Sequence, residues 1–188
     1  MRRGTLIVLA GPSGVGKGSV VERLRSRDPG GLAYSVSVTT RPPRPGEVDG
    51  TDYRFVTDAV FDEMIASEDL LEWAEIVGHR SGTPARFVEE TLSAGRDVLL
   101  ELVVKGAQQV KAKVPEARLI FLLPPSFEEL EQRLRGRGTE DTDAVERRLA
   151  TARWELQQEG WFDDRVVNDD LQRAADEVAA IIDASHTR

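Results

Sequence analysis

Apolar residues come in short blocks along this chain, and the period of each block predicts an element. Leu6–Ala10 is an unbroken apolar run that stops at Gly11, so Thr5–Ala10 reads as a buried strand. The loop Gly11–Gly16 follows. Val20, Val21 and Leu24 then share one face, which predicts a helix to about Arg27, ended by Asp28-Pro29-Gly30-Gly31. From Ala33 to Thr39 the pattern becomes strict alternation. Tyr34, Val36 and Val38 oppose Ser35, Ser37 and Thr39, as in a half-buried strand.

Arg41–Asp52 holds three prolines and two glycines, which excludes a regular element. A short helix is predicted near Asp58–Ser67, then Leu70–Ala74 and a polar turn at His79–Gly82. Thr83-Pro84 predicts a helix start with proline in the first helical position. Asp97–Val104, nearly all apolar apart from Glu101, and Arg118–Leu123 suit parallel strands covered on both faces. Ser126 with Glu129 forms a capping box for a helix that ends at Gly136–Gly138. Thr139–Asp143 is polar, and an arginine-rich helix follows to about Gln158. Val166 and Val167 form a last short strand. Leu171, Ala174, Ala175, Val178, Ile181 and Ile182 mark a final amphipathic helix.

Strands alternating with helices predict an α/β, doubly wound fold of three layers around a central, mostly parallel sheet. Two segments, about 35–90 and 126–160, interrupt the alternation. The expectation is one domain over 1–188, with a core of 1–34, 91–125 and 161–188. In such folds the insertions carry substrate contacts or act as lids.

Composition narrows the class. The length of 188 residues suits one such domain. A formal net charge of −8 argues against a nucleic-acid surface, although local arginines can still hold small phosphates. The chain has no cysteine, which excludes disulfides, zinc–thiolate sites and cysteine nucleophiles. No apolar run approaches the ~20 residues of a membrane span. Leu6–Ala10 is too short for a signal peptide despite Arg2 and Arg3. A cytoplasmic chain without membrane or nucleic-acid partners is expected, and nothing bears on its oligomeric state.

The strongest motif is Gly11-Pro12-Ser13-Gly14-Val15-Gly16-Lys17, set between a strand and a helix. Its glycines let the backbone curl so that several N–H groups point inward. The helix N-terminus adds partial positive charge, and Lys17 has the reach for β- and γ-phosphates. Gly18 stands where the full pattern wants Ser or Thr, with Ser19 next. Any Mg²⁺ then rests on phosphates and water, with no direct protein ligand expected. Glu101 reads equally as a carboxylate that holds the metal through water and as a solvated strand end.

Ser37–Glu47 (Ser-Val-Thr-Thr-Arg-Pro-Pro-Arg-Pro-Gly-Glu) carries two arginines three apart, stiffened by prolines and able to fork around a phosphate. Further segments follow in order: Asp49-Gly50-Thr51-Asp52-Tyr53, Leu71-Glu72-Trp73-Ala74-Glu75, Gly82-Thr83 and Gly106-Ala107-Gln108-Gln109. Gly136-Arg137-Gly138-Thr139-Glu140 and Val167-Asn168-Asp169-Asp170 complete the series. Together with the phosphate loop they resemble the guanylate kinase family over almost the whole chain.

The resemblance implies phosphoryl transfer from ATP, with Mg²⁺ as cofactor, to GMP. ATP would lie on Gly11, Pro12, Ser13, Gly14, Val15, Gly16, Lys17, Gly18 and Ser19, with Asn168 on the adenine side. Arg41, Arg44 and Tyr53 would bind the GMP phosphate, and Ser81 and Glu101 complete the GMP set. Glu72 would accept from guanine N1–H and the 2-amino group, both donors, while Ser37 and Thr83 serve the O6 edge. Lys17, Arg41 and the lid arginines Arg137 and Arg148 would neutralise charge on the transferring group. Arg133, Arg135 and Arg147 are neighbours that read as helpers or as a solvated face. For Arg133 the solvated face is preferred.

Three positions depart from the family pattern. Gly18 lacks the hydroxyl. Ser81 replaces a tyrosine that touches the GMP phosphate in many members, where His79-Arg80 or a water would compensate. Glu101-Leu102-Val103 replaces Asp-hydrophobic-Asp, with Lys105 where a neutral residue is common. Two alternatives follow: a P-loop kinase for another phosphate acceptor such as ribose 1,5-bisphosphate, or a binding module that kept the fold and lost catalysis.

Overall fold

The computed structural model describes residues 3–27, 31–76, 78–136 and 142–185. In chain order the elements begin β1 (Leu6–Ala10), α1 (Lys17–Arg27), β2 (Leu32–Tyr34), β3 (Val38–Thr39), β4 (Arg54–Phe55) and α2 (Asp58–Ala66). Next come β5 (Leu70–Ile76), β6 (His79–Pro84), α3 (Ala85–Ser93), β7 (Asp97–Leu102) and α4 (Val104–Lys113). The series closes with β8 (Arg118–Leu123), α5 (Phe127–Arg135), α6 (Thr142–Leu156), β9 (Asp164–Val167) and α7 (Leu171–Ser185). The protein is α/β with a central, mostly parallel sheet, as the alternation predicts.

Two compact units form. One comprises Met1–Leu6, Gly31–Leu100 and Lys105–Ala117; the other comprises Ile7–Gly30, Glu101–Val104 and Arg118–Arg188.

In the first unit β2 pairs with β7 in parallel. A second, four-stranded sheet runs β4-β3-β6-β5, with β5 at an edge. Its core is Val38, Phe61 and Leu70, against which Val56, Met64 and Ile65 pack. Phe61 is fully buried, and burying such a side chain stabilises by about 1.5–3 kcal/mol. Thr57 caps α2, its hydroxyl accepting from Val60 N–H at 3.3 Å.

In the second unit β8 pairs in parallel with both β1 and β9. Leu6–Ala10 and Leu119–Leu122 are buried throughout. Both faces of these strands are covered, so their sequences show no alternation. Phe121 and Phe162 meet edge to face at 4.6 Å. Helices α1 and α7 pack together; α1 buries Val20 and Leu24, and α7 buries Ala174, Ala175 and Val178.

Four local expectations need correction. The alternating stretch Ala33–Thr39 is two strands, not one: β2 pairs with β7, whereas β3 pairs with β4 and β6. Alternation reports burial on one face and is blind to which sheet supplies the partner. His79–Gly82 is not a turn but part of β6, antiparallel to β5. Cross-strand pairing overrides its polar composition. The reversal lies next to it at Gly78, whose φ is +75°. Pro84 is not the first helical residue; it ends β6 and caps α3 with φ −59°, and Ala85 N–H donates to Asp69 C=O at 2.8 Å. The apolar run Asp97–Val104 is strand only to Leu102, and its last residue opens α4.

The capping box at Ser126 forms by half. Ser126 accepts from Glu129 N–H at 3.1 Å, while the Glu129 carboxylate pairs with Arg133. Arg137, Gly138, Thr139 and Glu140 lie outside the described residues.

Candidate active site

The phosphate loop belongs to the second unit. Its sharp curl needs Gly14 at φ +86° and Gly16 at φ +98°, where L side chains are strained. A Cβ on Gly16 would also stand 2.5 Å from the Asn168 amide nitrogen. Lys17 is the first residue of α1, and its Nζ donates to Gly11 C=O at 2.7 Å and Pro12 C=O at 3.2 Å. The ammonium therefore sits over the loop that it is expected to serve.

Residues distant in sequence brace this loop. Buried Asn168 donates from Nδ2 to Val15 C=O at 2.8 Å, while its own N–H donates to Leu123 C=O at 2.8 Å. Arg148 of α6 donates to Ser13 Oγ at 3.1 Å. The buried Glu155 carboxylate accepts from Ser13 N–H at 3.3 Å. Arg133 departs from its reading as a solvated face. It pairs with Glu129 and also donates to Val15 C=O and Asn168 C=O at 3.4 and 3.2 Å. Spacing on α5 shows the Glu129 partner but not the loop on the other side. Arg135 pairs with Glu131 and Glu146.

Glu101 lies in the same unit as the loop. A Cβ built on Gly18 would stand 3.7 Å from its carboxylate, an ordinary contact distance. Desolvation by surrounding protein raises its carboxyl pKa, opposed by the charges of Lys17 and Arg25. Glu101 is nonetheless exposed in surface terms, so the carboxylate stays within reach of solvent and of a hydrated ion.

The first unit carries the other expected residues on or beside its four-stranded sheet. Glu72 of β5 faces Thr83 of β6 directly across the ladder, and the Thr83 hydroxyl donates to its carboxylate at 2.7 Å. Both are buried. Gly82 lets these strands close, because a Cβ there would meet Glu72 C=O at 2.9 Å. Burial pushes the Glu72 carboxyl up to about 7, against the opposing effects of Thr83 and Lys113.

Arg41 makes a two-pronged pair with Glu47, at 2.9 and 2.8 Å. Glu47 also accepts from Arg44 N–H at 2.7 Å. These donors, Arg41 foremost, hold its carboxyl down to about 2. The Arg41 guanidinium lies 5.1 Å from the Tyr53 ring centre and 5.7 Å from that of Phe55. The Asp49–Tyr53 segment shapes this platform: Gly50 N–H donates to Tyr53 C=O, and Asp49 accepts from Phe55 N–H. The proline-rich loop is thus a cradle of fixed arginine and aromatic faces. Arg44 is exposed, and Ser37 and Ser81 are half-buried. Ser81 lies in β6, opposite Thr39 and Ala74.

Two residues nearby have surroundings that sequence reading missed. Arg80, considered as compensation for Ser81, is held by Asp58 and Asp62 and lies over the Phe61 ring at 4.9 Å. It supports α2. Among the described residues, the Ser35 hydroxyl is buried without a hydrogen-bond partner. The alternating pattern alone gave it no distinction from its neighbours.

No helix among the described residues is long and apolar enough to cross a membrane. The described residues also hold no cluster of three His, Cys, Asp or Glu side chains that would bind a metal.

Comparison with known proteins agrees with this geometry. The guanylate kinase family model matches residues 3–185. The chain is 55% identical over 183 residues to a guanylate kinase of Thermobifida fusca, covering 97% of this chain and 93% of that one. It is 52% identical to a guanylate kinase of Bacillus cereus, covering 100% and 91%. A crystal structure of guanylate kinase from Anaplasma phagocytophilum superposes with a TM-score of 0.83 at 30% identity, covering 100% of this chain and 88% of that one. The chain belongs to the guanylate kinase family.

Proposed function

We propose that the chain transfers the γ-phosphoryl group of ATP to GMP, giving GDP and ADP. The observation that carries this reading is the buried Glu72–Thr83 pair. A sugar phosphate needs no base pocket, so a buried carboxylate in the same unit as the Arg41 cradle argues for a guanine nucleotide. An ionised carboxylate has acceptors only, which match the two donors on guanine N1 and N2. Thr83 has one proton to donate and directs it to Glu72, so it orients the carboxylate and leaves donation to the O6 edge to Ser37.

Arg41, Arg44 and Tyr53 bind the GMP phosphate. That phosphate competes with Glu47 for the Arg41 fork, and the exchange keeps the guanidinium oriented until substrate arrives. Ser81 contacts the same region through a shorter reach than tyrosine, with water completing it. ATP lies on Gly11–Ser19, and Asn168 acts on the adenine side by bracing that loop.

The donor set fits Mg²⁺ held mainly by phosphates and water, with Glu101 as an outer ligand. Such an ion, bound with ATP, would supply neutralisation of phosphate charge. Lys17, Arg41, Arg137 and Arg148 stabilise charge on the transferring group. The GMP phosphate is already anionic, so no general base is required. In-line transfer requires the two phosphates to be brought together, which we assign to closure of the insertions at 35–90 and 126–160. The cytoplasm, where such nucleotides are made and used, is the proposed compartment.

The test is coupled ADP release with ATP, Mg²⁺ and each of GMP, AMP, CMP, UMP and ribose 1,5-bisphosphate. Turnover confined to GMP is expected. Turnover with the sugar phosphate, or with no acceptor despite ATP binding, would overturn the reading.

A further inference from the structure

The Gly106–Gln109 motif has no part in the chemistry above, yet α4 reaches the strand that carries Glu72. β5 is the edge strand of its sheet, so the backbone groups on its outer side have no strand partner. Gln109 supplies one. Its Oε1 accepts from Trp73 N–H at 3.2 Å, and its Nε2 donates to Trp73 C=O at 2.7 Å. A carboxamide has the donor and acceptor of a peptide group, so Gln109 stands in for a neighbouring strand at this one residue. Lys113 lies one turn on, at the i+4 position, and donates from Nζ to Leu70 C=O at 3.3 Å.

We propose that Gln109 and Lys113 are positioning residues for recognition of the guanine base, clamping β5 on both sides of Glu72. This rests on the reading of Glu72 as the base-recognition residue.

The clamp acts where position matters. Trp73 N–H belongs to the peptide plane that joins Glu72 to Trp73. Holding that plane fixes the backbone from which the Glu72 side chain departs. β5 and β6 shift register between Leu70 and Glu72, so the ladder alone holds this stretch loosely. Lys113 bonds on one side of the irregularity and Gln109 on the other. Two groups face the Glu72 carboxylate: Thr83 of β6 by hydrogen bond and Lys113 of α4 by charge. Both favour its ionised form, which guanine requires.

The experiment uses the full chain and begins with the KM of the wild-type protein for GMP and for ATP. Absence of GMP turnover in the wild type would refute the proposed function rather than the clamp. In Gln109→Leu, KM for GMP should rise about tenfold, as two lost hydrogen bonds suggest, while KM for ATP stays near wild type. In Lys113→Met, the pH at which KM for GMP improves should move upward, and Lys113→Arg should restore it. Should Gln109→Leu fail to fold, Gln109→Glu gives the same reading, because it keeps the acceptor for Trp73 N–H and sets a carboxylate oxygen against Trp73 C=O. The clamp is refuted if the folded Gln109 variant leaves KM for GMP within about twofold. Equal rises in both KM values, or an unmoved pH midpoint in Lys113→Met, would refute it as well.

Discussion

In the proposed reading, the phosphate loop and the acceptor sheet would hold phosphate esters by different means. The loop is one run, Gly11–Ser19, curled by Gly14 and Gly16 at positive φ, a shape in which backbone N–H groups would carry most of the binding. The acceptor sheet would use side chains drawn from Ser37 to Thr83, and two pairs of side chains there already meet. Glu72 holds Thr83, and Glu47 holds Arg41. Backbone amides accept any polyphosphate, whereas side chains discriminate. Rate should therefore respond most to changes in the loop unit, and choice of acceptor to changes in the sheet unit.

The largest effect tests that division. Lys17→Ala should lower kcat by about three orders of magnitude, in line with loss of a main charge on the transferring group, and leave GMP affinity near wild type. Steady-state kinetics with calorimetric GMP binding checks this. A near-normal kcat would remove Lys17 from the chemistry.

Glu72→Gln should act on the other side. The amide presents a donor where guanine also donates, so kcat/KM for GMP should fall about a hundredfold while KM for ATP holds. Equal loss for both substrates would break the contrast between the units.

pH gives a finer test. The Glu72 carboxyl titrates at about 7 in the folded protein, above its ordinary value of 4.5. GMP binding needs the ionised form, so KM for GMP should fall as pH rises from 6 to 8. Glu72→Gln serves as the reference that removes titration of the GMP phosphate itself. Stability moves the opposite way. Between about pH 4.5 and 7 the folded state keeps a proton that the unfolded chain has lost, so stability from this group falls as pH rises through that window. The contribution is on the order of 3 kcal/mol. Denaturant unfolding of wild type and Glu72→Gln should therefore diverge from pH 5 to pH 8 in favour of the variant.

The smallest effect is expected at Gly18. A Cβ there meets the Glu101 carboxylate at 3.7 Å, which is ordinary contact. Gly18→Ser should leave kcat within about twofold of wild type. A large gain would show that a direct hydroxyl ligand for the metal is what this loop lacks.

How much was legible in the sequence follows the same contrast. The loop could be read because strand, glycines, lysine and helix are adjacent, and each glycine has a local backbone reason to be there. The helix at Ser126 and the buried strands β1 and β8 were legible on the same ground. Elements whose identity depends on a partner were not. His79–Gly82 has the composition of a turn and becomes strand because β5 lies beside it. Ala33–Thr39 has one period but serves two sheets. Arg133 has a helical partner in Glu129 that masks its contacts to Val15 and Asn168.

By itself the sequence determined the α/β alternation, the phosphate loop and the set of residue types from which a guanine nucleotide site can be made. Those features rest on local conformation and on short-range periodicity, which a chain carries wherever it folds. Only the tertiary structure decided that Thr83 meets Glu72, that Arg80 is occupied by Asp58 and Asp62, and that Gln109 completes the edge of β5. Each of these depends on strand register and on which helix crosses which edge, and neither is written in the spacing of apolar residues.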